Sequence, residues 1–142
     1  MNWNTYTNAL FALSLWREAR GEGELGMRAV GHVIWNRHNK GRSLIRVITD
    51  DAQFTSINPP GKSYDPQLDE WPRPPDPRFD IAMRIVDEIM AGESEDPTHG
   101  ATFYRNPKTA TSQWYERHVA RNPAYRVRAV IGNHEFHALV QP

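Results

Sequence analysis

The sequence contains no cysteine. That excludes a disulfide scaffold, a thiol nucleophile, a zinc ribbon and an iron–sulfur site. It also lacks an excess of either charge, with 17 Lys and Arg against 17 Asp and Glu in 142 residues. A general nucleic-acid binder draws its affinity from released phosphate counterions, so the neutral balance points to no nucleic-acid partner. No segment approaches the roughly 18–20 apolar residues that cross a bilayer, and no membrane insertion is expected. The start, Met1-Asn2-Trp3-Asn4-Thr5, has none of the basic residues of a secretory signal. Trp16 and Arg17 follow the apolar stretch Ala9-Leu10-Phe11-Ala12-Leu13 without a small-residue cleavage site. Synthesis in the cytoplasm without a signal peptide is the expectation, with delivery by another agent for any action outside. G-x-S-x-G, a Walker loop, a dinucleotide fingerprint and H-E-x-x-H are all absent.

What is present describes a globular chain, 39% hydrophobic and 24% charged. Its length suits one domain, residues 1–142, able to bury about two-thirds of its unfolded surface. Trp3, Tyr6, Leu10, Leu13 and Trp16 are spaced by three and four, which predicts an amphipathic helix to about Arg20. A second helix is predicted over Glu24–Arg37, burying Met27, Val30, Val33 and Ile34, and a short third holds Leu44, Val47 and Ile48. Seven of the 11 prolines fall between Pro59 and Pro77, so residues 57–76 read as a long surface loop. Asp76-Pro77 is an N-cap with proline in the first turn, opening a helix whose stripe is Ile81, Ala82, Ile85, Val86, Ile89 and Met90, stopped by Gly92. Tyr125, Val127, Ala129 and Ile131 alternate with Arg126, Arg128 and Val130 as in a half-buried strand. Gly132-Asn133 is a two-residue hairpin signal and His134–Val140 the returning strand, with a third strand within Ala101–Tyr104. The expected class is α+β, mainly helical with a small antiparallel sheet near the C-terminus.

The densest polar cluster is Glu18-Ala19-Arg20-Gly21-Glu22-Gly23-Glu24, where the first helix ends. A carboxylate in the last turn meets the negative end of the helix dipole, which makes Glu18 harder to ionise. Packing against an aromatic acts the same way. A carboxylic acid kept protonated is what glycoside cleavage asks of its general acid. A glutamate at a helix end is also, far more often, an ordinary solvated charge. Glu22 and Glu24 are suited to capping the second helix. Six histidines form no tight ligand set, and His134 and His137, three apart on a strand, point to opposite faces, so no metal or other cofactor is expected.

Glu18-Ala19-Arg20-Gly21-Glu22, followed by Gly26, Ala29-Val30, Val33-Ile34 and Asn36-Arg37, resembles the opening motif of the SleB-like cell wall hydrolases. These are the catalytic domains of spore cortex-lytic enzymes and their phage and bacterial relatives. The similarity continues through Gln53-Phe54-Thr55, Gly100-Ala101-Thr102-Phe103-Tyr104-Arg105-Asn106-Pro107 and Gly132-Asn133-His134-Glu135-Phe136. The resemblance implies a lysozyme-like α+β domain, with Glu18 as catalytic acid and base. The implied activity is lytic transglycosylase cleavage of the MurNAc–GlcNAc bond in peptidoglycan glycan strands, by a monomer. It further implies substrate contacts from Gln53, Phe54, Tyr104, Asn106 and His134, with His134 and Phe136 buttressing the glutamate, and Glu22 is read as a substrate contact beside them.

Each of these positions has a plainer reading beside it: core packing for Phe54, a strand residue for Tyr104, a turn for Asn106-Pro107 and hairpin packing for His134. Tyr64, Trp71, Trp114 and Tyr115 serve equally as sugar-stacking faces or as fold anchors. A hydrolytic muramidase, with Glu22 as second carboxylate, and a non-catalytic peptidoglycan-binding module stand as alternatives. A small enzyme without a leader resembles a phage endolysin, released to the wall by a holin.

Overall fold

The computed structural model describes residues 3–49, 71–109 and 112–140. In chain order these form α1 (Trp3–Ala19), a single 3₁₀ turn (Arg20–Glu22), α2 (Gly23–His38), α3 (Leu44–Thr49) and α4 (Pro77–Met90). Strand β1 (Phe103–Arg105), helix α5 (Gln113–Tyr115) continued by a π turn (Glu116–Ala120), then β2 (Tyr125–Ile131) and β3 (His134–Leu139) complete it. The expected α+β class is what forms: a helical layer with a three-stranded antiparallel sheet of order β1-β3-β2 near the C-terminus. Gln53, Phe54, Tyr64 and most of the proline-rich segment lie outside the described residues.

Helix α1 is the axis of the helical layer. Its expected stripe is only partly the buried one, because Tyr6 is 43% exposed and Leu10 half-buried, while Phe11 and Leu15 are fully buried. The side chain of Trp3 is outside the described residues. From Phe11 to Arg17 every side chain is buried, because α2, α3 and α4 all pack on this helix. Leu13 and Trp16 of the stripe are buried as expected, but a helix enclosed on several sides has no single apolar stripe, so burial spreads beyond the counted positions. Trp16 is anchored from outside by its indole N–H, which donates to Asp76 Oδ2 at 3.1 Å. Asp76 in turn caps α4 by accepting the Arg78 amide at 2.9 Å. On α4 the stripe is as expected for Ala82, Ile85, Val86 and Ile89, but Met90 in the last turn remains 37% exposed.

Helix α2 carries the sheet. One side packs on α1 and α4. The other side, Ala29 and Val33, meets Ala101, Phe136 and Ala138 in a second apolar cluster. Tyr104 packs against both clusters and joins them. Asn36 Nδ2 donates to Asp96 Oδ2 and to the Ala101 carbonyl, both at 2.9 Å. Arg37 Nε donates to the Thr102 carbonyl, its guanidinium lying over the Phe103 ring. These clips fix the approach to β1 two and three residues before Tyr104. Asp96 is itself saturated, accepting from Thr98 N and Oγ1 and from Gly100 N as well.

The alternation read for β2 holds only at its two ends. A register shift between Val127 and Ala129 places Val127 opposite His137 but Ala129 opposite Phe136. This bulge puts Ala129 and Ile131 on the helix side and leaves Val127 42% exposed. Ile131 pairs with His134 across the two-residue turn, where Gly132 has φ +58°, as the first central position of a type II′ hairpin requires.

Candidate active site

Glu18 stands in the last turn of α1, half-buried. The open carbonyls of that turn are covered by Arg20, whose Nη1 donates to the Trp16 and Arg17 carbonyls at 3.2 and 3.5 Å while its guanidinium lies over the Trp16 ring. A cation at a helix C-terminus offsets the dipole there. Across 86 residues of sequence, the Tyr104 hydroxyl donates to Glu18 Oε2 at 3.3 Å. Burial pushes the Tyr104 phenol well above its usual range, and the Glu18 carboxylate pushes it further. The phenol therefore stays protonated and acts only as a donor to the glutamate.

Behind Tyr104 the sheet supplies two more rings. Phe136 stacks on it at 5.7 Å between centroids, and His134 meets it edge-on at 5.2 Å. Burial lowers the His134 pKa, against the opposing pull of the Glu22 carboxylate 3.9 Å from its Nδ1. Glu22 occupies the N-cap position of α2 but makes no side-chain cap; the capping role read from the sequence falls away. Its carboxylate instead crosses to the hairpin, accepting from Asn133 N at 3.4 Å and Asn133 Nδ2 at 3.3 Å. Two glycines leave room for it. A Cβ on Gly26 would overlap the Glu22 Cβ, and one on Gly132 would overlap the carboxylate itself. Glu24, by contrast, does what an acid in the first turn should, pairing with Arg28 at 3.2 Å and Arg84 at 2.9 Å.

Of the residues singled out from the sequence, Glu18, Glu22, Tyr104 and His134 are thus brought into one constellation. Asn106 is engaged elsewhere: its Oδ1 accepts the Lys108 amide at 2.9 Å and its carbonyl accepts the Thr109 amide at 3.1 Å, forming a turn. Gln53 and Phe54 lie outside the described residues. Tyr115 lies with Phe103 and His137 on the face of the sheet opposite Tyr104, its hydroxyl 2.9 Å from His137 Nδ1. Among the described residues no cluster of three metal-ligating side chains occurs. The Asn133 clip and the two-glycine slot were not anticipated. The Gly132-Asn133 pair signalled the turn, but its approach to Glu22 spans 111 residues and leaves no local trace.

Burial lowers the pKa of His32, of His134 and of His137. Asp96, which burial alone would raise, is held below its usual value by its hydrogen bonds to Asn36, Thr98 and Gly100. In each case the unfolded chain binds protons more readily than the folded one, so stability rises with pH over their titration range. The histidine contribution is complete above the unfolded value near 6.5 and is lost as pH falls through the lower folded values, and the Asp96 contribution fades below about 4. Thermal melts from pH 7 to pH 4 should show a falling midpoint beginning near pH 6.5. A midpoint flat from pH 7 to pH 5 would contradict the buried neutral histidines.

Two half-buried carboxyl groups, Glu18 and Glu22, thus flank Tyr104 and His134, the first contacted by the phenol and the second clipped by Asn133. The chain belongs to the Cell Wall Hydrolase family, whose profile matches residues 21–137. Glu22, Tyr104, Asn106 and His134 fall inside that span, and Glu18 precedes it by three residues. Among curated relatives, the spore cortex-lytic enzyme of Halalkalibacterium halodurans is 37% identical over 108 residues, 74% of this chain and 28% of that protein. The Bacillus subtilis spore cortex-lytic enzyme is 33% identical over 108 residues, 74% of this chain and 31% of that protein. The chain therefore spans about a third of the length of these relatives. The catalytic domain of the germination-specific lytic transglycosylase SleB from Bacillus anthracis is similar in structure, with TM-score 0.67 and 29% identity over 93% of each chain. The catalytic domain of the Bacillus cereus SleB protein gives TM-score 0.66 and 29% identity, covering 94% of this chain and 91% of that one.

Proposed function

We propose that this domain cleaves peptidoglycan glycan strands between MurNAc and GlcNAc as a lytic transglycosylase, with Glu18 as its acid and then its base. The observation that carries the reading is the Tyr104 hydroxyl on the Glu18 carboxyl, in a fold shared with the SleB catalytic domains. The protonated Glu18 gives its proton to the glycosidic oxygen as the bond from MurNAc C1 breaks. The resulting Glu18 carboxylate takes the proton of the same sugar's C6 hydroxyl, and O6 closes onto C1 as a 1,6-anhydro ring. No water enters and Glu18 ends protonated, ready for another cycle. One carboxylic acid is enough. Glu22, already bound to Asn133, then serves as a positioning residue that holds the hairpin and His134 behind Tyr104. Gln53, Phe54 and Asn106 are offered as substrate contacts on the resemblance alone. The single-domain organisation, the monomeric state and the endolysin role, with release by a holin, belong to the same reading.

Products decide the reaction. Digested peptidoglycan should yield muropeptides ending in 1,6-anhydro-muramic acid; reducing ends one water heavier would make the enzyme a muramidase. Tyr104→Phe removes one hydrogen bond to a charged group, so kcat should fall about tenfold with little change in KM. An unchanged kcat would detach Tyr104 from the glutamate's chemistry.

A further inference from the structure

At the far end of α2 from Glu22 lies a cavity of about 230 Å³ that the glutamate site does not use. Three cations line it, Arg37 from the helix and Lys40 and Arg42 from the turn that follows, together with the rings of Phe103 and Tyr125. No acidic side chain is among its described lining residues. Phe103 is on the face of β1 opposite Tyr104, so the cavity opens on the other side of the sheet from the catalytic constellation. Phe103 and Tyr104 are successive residues of β1, so the two sites lie back to back across the sheet, with Arg37 near one end of the 16-residue α2 and Glu22 at the other. Lys40 and Arg42 are exposed. Trp114, 49% exposed, packs against Phe103 at 5.8 Å and extends the apolar floor outward.

Clustered cations over an apolar aromatic floor select an anion attached to an uncharged body. We propose that this cavity is a second wall-binding site, taking a carboxylate or phosphate group of the cell-wall polymer while Glu18 works on a glycan strand. The nature of the polymer rests on the peptidoglycan reading above; the anion chemistry rests on the cavity alone. The stem-peptide carboxylates and the phosphodiesters of attached wall polymers share that chemistry. Holding the insoluble wall on this second face keeps the domain on its substrate between cuts, which a soluble oligosaccharide does not require.

The test uses full-length protein carrying Glu18→Gln, so that the wall is bound without being cut, with and without Lys40→Ala and Arg42→Ala. Co-sedimentation with purified sacculi should be about tenfold weaker in the double Ala variant, the combined effect of losing two solvent-exposed charge contacts, and the difference should shrink as salt is raised. Sacculi stripped of phosphodiesters by hydrofluoric acid, and glycan freed of stem peptides by an amidase, identify the source: the arm on which the difference disappears names the anion. With Glu18 restored, the Lys40→Ala, Arg42→Ala protein should cut soluble, peptide-free glycan at the wild-type rate. Equal sedimentation on all substrates would overturn the proposal, as would a slower cut of the soluble glycan. If nothing with Glu18 cuts glycan yet the sedimentation difference persists, the catalytic reading fails and the anion site stands.

Discussion

Replacing Glu18 by Gln should reduce glycan cleavage about 10³-fold or more while the protein stays folded, since one positioned acid–base group contributes about 10²–10⁴ and in the proposed mechanism serves both half-reactions. The amide is nearly isosteric, and its oxygen still accepts the Tyr104 hydroxyl, so the contact that orients the side chain survives. What is lost is the transferable proton and the carboxylate that would retrieve one from the C6 hydroxyl. Clearing of a sacculus suspension gives the rate and a thermal melt gives the fold. A melt within a few degrees of wild type, together with no clearing, is the expected pair. Cleavage within tenfold of wild type would remove Glu18 from the chemistry and turn attention to Glu22.

The largest effect on stability is expected from Phe136→Ala. Phe136 is fully buried at the middle of β3, among Ala29, Val33, Ala101 and Ala138. Four of its apolar neighbours are therefore alanine or valine, too short to close over the space that the ring leaves. Loss of a buried aromatic ring costs about 3–5 kcal/mol, the upper part applying where the site cannot collapse. For a domain of this size that lowers the melting midpoint by roughly 10 °C or more. The same ring is stacked under Tyr104, so Phe136→Ala should also slow the enzyme at temperatures where it remains folded. Phe136→Leu refills most of the volume and should recover most of the stability but less of the rate, because a flat ring is what supports the phenol. Equal recovery of both would reduce Phe136 to a space-filler.

Much of the architecture was legible because it is written in local signals. Asp76-Pro77 opens α4, Gly132-Asn133 turns the hairpin, and Leu44, Val47 and Ile48 bury a helix of only six residues. The failures have physical causes. Helix α1 is surrounded, so its burial follows its neighbours rather than a period, and Phe11 and Leu15 displace Tyr6 and Leu10 from the core. Strand β2 contains a bulge, which breaks a count by twos at Val127. At the site, the sequence identifies Glu18 as a glutamate in a last turn, but only the fold brings Tyr104 to it, and no spacing rule links positions 18 and 104. Glu22 shows the same limit more sharply. Its place at the start of α2 suggests a cap, whereas its carboxylate is claimed by Asn133 through a gap that Gly26 and Gly132 leave open. The cation-lined cavity likewise joins the end of a helix to strands some sixty to a hundred residues later, and the neutral overall charge hides it.

In the proposed mechanism one carboxylic acid cuts the glycan without water. Digesting purified peptidoglycan in ¹⁸O-labelled water with wild type, Glu18→Gln and Glu22→Gln, and weighing the muropeptides, tests it most directly. Wild type should release 1,6-anhydro ends with no label, Glu22→Gln the same products more slowly, and Glu18→Gln none. Reducing ends carrying ¹⁸O from wild type, lost in Glu22→Gln, would contradict it and establish a two-carboxylate hydrolase.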